Sequence, residues 1–162
     1  MKNSREGVLL LQGDTITPGY LNRPELNLER FDDGWFNTKD IARVDDDNLM
    51  YYLGRIDEMI ISGGENIYPQ EVESLISSHP DVKEVAVIGT PHERWIEAVT
   101  AIVVPKRDGL TPDDIIKFCE SSTSLASYKW PKRVFITNEL PKTGSGKINK
   151  ATLKEIYGNK KQ

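Results

Sequence analysis

The feature that most constrains the fold is an alternation that begins at Met59. Short apolar runs of strand length take turns with segments of helical periodicity. Residues 59–62 read as a strand, and Gly63-Gly64 as a tight turn without side chains. Residues 69–78 read as a helix, because Val72, Leu75 and Ile76 are spaced to share one face. Residues 84–88 and 99–104 are apolar strands. Thr111-Pro112-Asp113-Asp114 places a capping hydroxyl, a proline and two acids where a helix begins, and that helix runs to about Ser121. Residues 134–137 form a last strand and residues 151–157 a closing helix. The expectation is an α+β domain: a central short β-sheet flanked by three helices, with a β-hairpin.

The stretch before Met59 has a different character. Residues 7–12 read as a strand, Thr17-Pro18-Gly19-Tyr20-Leu21-Asn22 as turns, and residues 24–31 as a short helix with Pro24 at its start. Residues 40–44 and 49–53 are apolar-rich runs around Asp45-Asp46-Asp47-Asn48, a hairpin pattern. Gly54-Arg55-Ile56-Asp57 interrupts this and reads as a junction. The 162 residues suit one domain, or one domain carrying part of another.

Cys119, the one cysteine, excludes an internal disulfide and fits a reducing compartment. No apolar run approaches the ~20 residues of a membrane span, and the first residues lack a signal-peptide core. The expectation is a soluble, cytoplasmic protein. The net charge of −4 hides an acidic body and a basic final stretch from Tyr128 onward. That stretch could attract polyanions or simply complement the closing helix. A nucleic-acid binder would more often be basic throughout, so no nucleic-acid partner is expected.

Five groups of residues could carry chemistry. Lys147, in Pro141-Lys142-Thr143-Gly144-Ser145-Gly146-Lys147-Ile148-Asn149-Lys150, reads as the tip of a glycine-rich loop and can offer a mobile point charge to a phosphate or carboxylate. Asp40 could accept both hydroxyls of a ribose, or be an ordinary strand-end residue. Arg55 and Asp57 could grip a nucleotide and mark a hinge, or form a surface ion pair of little value. Gly63 and Gly64 could admit a ligand closely, or be only a hairpin turn. Arg94-Trp95 and Tyr128-Lys129-Trp130-Pro131-Lys132-Arg133 alternate rings with cations, which suits stacking an adenine and holding phosphates. Packed tryptophan under extended lysines is the alternative.

Other chemistries fail. The lysine loop is not a Walker loop, since Pro141 stands at its first glycine position and Ile148 replaces the magnesium-binding hydroxyl. No G-x-G-x-x-G is present. His79, His92 and Cys119 are too few and too scattered for a zinc site or a Cys–His pair, and both histidines read as solvent-facing turn residues.

Taken together, three stretches resemble the C-terminal part of the adenylate-forming (AMP-binding) enzymes, above all the acyl- and aryl-CoA synthetases. They are Gly34-Trp35-Phe36-Asn37-Thr38-Lys39-Asp40, the continuous run of residues 54–73 (GRIDEMIISGGENIYPQEVE), and the lysine loop. Such enzymes join a carboxylate to ATP, forming an acyl-adenylate, and then transfer the acyl group to the thiol of CoA.

The resemblance implies a role for each residue. Asp40 and Arg55 would bind the nucleotide, and Asp57 would be the hinge. Lys147 would be the adenylation lysine, on a flexible loop. Gly63 and Gly64 would line the pantetheine tunnel, while Trp95, Tyr128, Trp130 and Lys132 would face CoA. ATP/AMP and CoA would be substrates of the complete enzyme, with Mg2+ accompanying ATP on ligands outside this chain.

The resemblance also implies a division into residues 1–54, a β-rich last segment of the large N-terminal domain; 55–57, the hinge; and 58–162, the mobile domain. The missing N-terminal domain would be the partner, and the chain would be inactive alone. An arm borne by a carrier protein, or a stand-alone binding or regulatory module, are the alternatives. Lys39 and Ile96 stand where many members have glycine, and Trp130 where CoA ligases often have a basic residue.

Overall fold

The computed structural model describes residues 5–160, so the outermost residues of the expected first and last segments lie outside it. The chain divides into two compact units, Met1–Asp57 and Glu58–Gln162.

The first unit is a four-stranded antiparallel sheet built on one long strand. β1 (Arg5–Leu11) is followed by α1 (Pro24–Arg30), β2 (Phe31–Asp32), β3 (Trp35–Val44) and β4 (Met50–Arg55). β3 pairs with the other three. The β3–β4 turn is closed by Asp45, whose Oδ1 accepts the N–H groups of Asp47 and Leu49 at 3.0 Å each. Asn48 takes the left-handed conformation there, at φ 58°.

β3 also carries a bulge. Val8 pairs with Ile41 but Leu10 with Asn37, so Thr38, Lys39 and Asp40 face Leu9 alone. Lys39 absorbs the excess length at φ 63°, a left-handed conformation that glycine would adopt at less cost. The bulge is pinned by Thr38, whose hydroxyl donates to the Leu9 carbonyl and accepts the Asp40 N–H.

The second unit has three layers. β5 (Ile60–Ser62), β6 (Glu65–Ile67), α2 (Pro69–Ser77), β7 (Val82–His92), β8 (Ile96–Pro105), α3 (Pro112–Ser121), β9 (Arg133–Ile136) and α4 (Lys150–Tyr157) follow in order. The sheet runs β6-β5-β8-β7, and β9 adds in parallel to β8. Val85, Val87, Val99, Ala101 and Val103 face one side, packing with Val72 and Ile76 of α2 and Ile115 and Cys119 of α3. Ala86, Ile88, Ile102 and Val104 face the other, with Leu153 of α4 and Leu140 from the segment after β9. Both faces are covered, so the middles of β7 and β8 read as mostly apolar runs.

The capping box expected for α3 is complete: Thr111 Oγ1 accepts the Asp114 N–H, and Asp114 accepts the Thr111 N–H. α2, α3 and α4 begin and end within a residue of the sequence reading. β2 and β6 were not expected, and β7 and β8 are about twice as long as expected.

Cys119 is fully buried in α3, and burial pushes its thiol up to about 11. His79 and His92 are half-buried, not solvent-facing. His79 meets the edge of Phe118, and His92 stacks on Trp95.

A polar cluster ties the layers together. Lys150 Nζ at the start of α4 lies 2.8 Å from Glu58 and 3.0 Å from Glu73 of α2. Glu73 also accepts the Val87 N–H of β7 at 2.8 Å. These side chains are 18–30% exposed, so removing the ammonium strands two partly desolvated carboxylates. Lys150→Met is expected to destabilise the second unit by about 2–3 kcal/mol in urea unfolding, with Lys150→Arg recovering most of it.

Candidate functional site

The sequence-selected residues gather in three places. In the first unit, Asp40 and Arg55 are directly opposite each other across β3 and β4. Arg55 Nη1 lies 3.4 Å from Asp40 Oδ1, and the other edge of its guanidinium forks onto Asp57, with Nε to Oδ1 at 3.0 Å and Nη2 to Oδ2 at 3.1 Å. Arg55 therefore bridges the carboxylate on the bulge to the carboxylate at the boundary between the two units. The bidentate hydrogen bond holds the Asp57 carboxyl below the usual aspartate range.

The second group lies on one end of the second sheet. Ser62 pairs with Glu65, and Gly63 and Gly64, at φ 62° and 88°, form the two-residue turn between them. Both central residues have positive φ, as a type I′ hairpin demands, so geometry alone favours glycine there. The Gly63 N–H donates to the Trp95 carbonyl at 3.0 Å, tying this turn to the β7–β8 turn. A Cβ on Gly63 would meet the Trp95 ring at 3.6 Å, and one on Gly64 would meet nothing. The double-glycine turn is thus an open surface.

Trp95 is the centre of this patch. His92 stacks on it with centroids 4.3 Å apart and planes inclined by 25°. Arg94 and Lys132 each place a cation 5.6 Å from its ring centre. Sequence reasoning missed His92; its signal was a ring three residues before Trp95 across a very short turn.

Tyr128 and Trp130 behave differently from each other. Tyr128 is 44% exposed, with the Lys129 ammonium 5.7 Å from its ring. Lys129 is in turn paired with Glu71. Trp130 is half-buried against the core, and its indole N–H donates to the Leu125 carbonyl at 3.2 Å.

The third group is the lysine segment, which is a hydrogen-bonded hairpin and not a loose loop. Lys142 bridges to Ile148, the Thr143 N–H donates to the Lys147 carbonyl at 2.7 Å, and the Gly146 N–H donates to the Thr143 carbonyl at 2.9 Å. Gly146 closes the turn at φ 82°. Lys147 stands on the returning arm, not at the tip.

Its base is anchored by Ile148 against the second core cluster and by Asn149, whose side chain caps α4 through the Thr152 N–H. Lys142 pairs with Glu84 at 3.0 Å and Lys150 with two glutamates. Lys147 is exposed and, among the described residues, makes no ion pair. A rigid base thus presents one uncommitted ammonium.

Residues 71–147 match the family described as AMP-binding enzyme C-terminal domain. A long-chain-fatty-acid–CoA ligase of Mycobacterium tuberculosis is 45% identical over 94% of this chain and 30% of its own length. A 2-succinylbenzoate–CoA ligase of Listeria monocytogenes is 44% identical over 97% of the chain and 33% of its own length. Among solved structures, o-succinylbenzoate CoA synthetase from Bacillus subtilis, in complex with its acyl-adenylate intermediate, is 35% identical. It superposes with a TM-score of 0.86 over 93% of this chain and 30% of that one. The chain spans about a third of the length of the curated relatives it matches.

Arg55 lowers the Asp57 carboxyl, so the pair contributes stability above the ordinary aspartate range near ~4 and loses it as the pH falls through the folded value. Arg55→Ala is expected to return the Asp57 midpoint upward toward that range, read by carboxyl NMR titration. An unmoved midpoint would show that Arg55 does not hold it.

Proposed function

We propose that this chain, which belongs to the adenylate-forming enzymes and carries their C-terminal domain, is the C-terminal part of a carboxylate–CoA ligase, with residues 58–162 as its mobile domain. The reaction is ATP-dependent formation of an acyl-adenylate, followed by thioester formation with CoA. The observation that carries this reading is Lys147. It is the uncommitted cation on a braced hairpin whose neighbouring lysines are all spoken for. A fixed positive charge of this kind suits the moment when a carboxylate meets the α-phosphate of ATP and two negative groups must approach each other.

The other groups take complementary parts. Asp40 accepts ribose hydroxyls, and Arg55 holds the nucleotide from across the strand pair. Asp57, at the boundary between the compact units, is the hinge about which the second unit turns between half-reactions. The side-chain-free turn at Gly63 and Gly64 leaves room for the thiol arm. Trp95, Lys132 and Tyr128 face the nucleotide end of CoA. Trp130 supports that surface from below, through its packing and its bond to Leu125. The cations around Trp95 favour free CoA over an arm borne by a carrier protein, since only CoA brings phosphates to them.

The partner in this reading is the large nucleotide-binding domain of the same enzyme, and the chain by itself forms no acyl-adenylate. Acyl-CoA formation is expected when the chain is combined with that domain and absent without it. Turnover by the chain alone would overturn the reading.

In the combined enzyme, Lys147→Gln is expected to slow adenylation by about 10²–10³-fold while leaving thioester formation from preformed acyl-adenylate little changed. Equal loss of both half-reactions would remove the lysine from its assigned step. Calorimetry is expected to show CoA binding more tightly than pantetheine; equal affinities would favour a carrier-borne arm.

A further inference from the structure

The turn between β7 and β8 contains a residue that the fold itself disfavours. His92 pairs with Ile96 across only Glu93, Arg94 and Trp95. Connections this short commonly close with a residue in the left-handed region, a conformation that glycine adopts freely. A β-branched side chain there crowds its own backbone.

Ile96 has a φ of 69°. Asn22, Asp33 and Asn48 share that region, but their residue types visit it readily. Lys39 also shares it, and its unbranched chain gains an ion pair with Glu29. Ile96 gains no comparable contact: it is 69% exposed and belongs to neither core cluster. Backbone strain of this sort concentrates where a protein meets its ligand.

The position of Ile96 suggests which ligand. Its backbone pairs with Ser62, the residue before Gly63 and Gly64. It directly follows Trp95, which carries His92, Arg94 and Lys132 around its ring. An exposed aliphatic residue is therefore joined through its backbone to both an open glycine turn and a cation-rich aromatic stack.

We propose that Ile96 is an acceptor-recognition residue. Its side chain packs on the aliphatic middle of the pantetheine arm, while the stack holds the nucleotide phosphates. The inference rests on the CoA reading above and deepens it.

The test uses the full chain with labelled isoleucine methyls and tryptophan indoles. It is titrated separately with CoA, with pantetheine and with adenosine 3′,5′-bisphosphate. The Ile96 methyl is expected to shift with CoA and pantetheine but not with the bisphosphate, and the Trp95 indole with CoA and the bisphosphate.

Ile96→Gly is expected to raise the melting temperature by roughly 4–8 °C as the strain is released. It is also expected to weaken pantetheine binding by about tenfold and leave bisphosphate binding unchanged. Ile96→Asn, whose type tolerates the left-handed backbone, should likewise melt higher and bind pantetheine more weakly.

An Ile96 methyl that ignores CoA while the Trp95 indole responds would overturn this inference and leave the CoA reading standing. So would a glycine variant that binds pantetheine as tightly as the parent chain, or one that melts lower. Silence of both signals toward CoA would overturn both.

Discussion

The second unit depends on the antiparallel pairing of β7 with β8, which runs from Val82 opposite Pro105 to His92 opposite Ile96. Because valines and isoleucines alternate between two covered faces, this one hairpin is the core of both layers. α2 and α3 need one face, and α4 with the lysine hairpin needs the other. Their central residues are therefore mostly apolar on both faces. At one end the same pairing is forced into the strained turn that displays Trp95. The surface proposed to meet CoA is thus an extension of the structural core.

Rigidity and availability are divided along the chain in a consistent way. Lys129, Lys142 and Lys150 are each tied to a glutamate on another element, so three cations serve as cross-braces between layers. Lys147 lies between two of them and is left exposed. The bracing holds its backbone, through the Lys142–Ile148 bridge and the capped start of α4, while the side chain stays uncommitted. In the first unit Arg55 has the opposite standing. Asp40 and Asp57 both occupy its guanidinium, and the nucleotide proposed to bind there would compete with those contacts.

Much of this could be read from the residues. The helices were legible because their caps and apolar faces are local: Thr111 with Asp114, Pro69 at a first turn, Val72 with Ile76. β2 and β6 escaped because two or three residues carry no period, and Glu65-Asn66 looks like turn rather than strand. β7 and β8 were cut short because their ends are polar or aromatic and are held by pairing, which only a partner strand reveals.

At the site, the glycine turn and the lysine segment were visible as motifs, but the hydrogen bonds that make the latter a hairpin were not. Lys39 and Ile96 were visible only as departures from glycine. Their positive φ values turn each departure into a physical statement, a bulge in one case and a strained turn in the other. His92 was missed because stacking on Trp95 depends on how tightly the turn closes.

Cys119 has a consequence for the chemistry proposed here. An activated acyl group is open to any sulfur nucleophile within reach, and acceptor discrimination would fail if the catalyst supplied its own. The sole sulfhydryl of this chain lies sealed under α3 and keeps its proton far above neutral pH. Self-acylation through Cys119 is thereby closed off, and an incoming thiol meets no rival from these 162 residues.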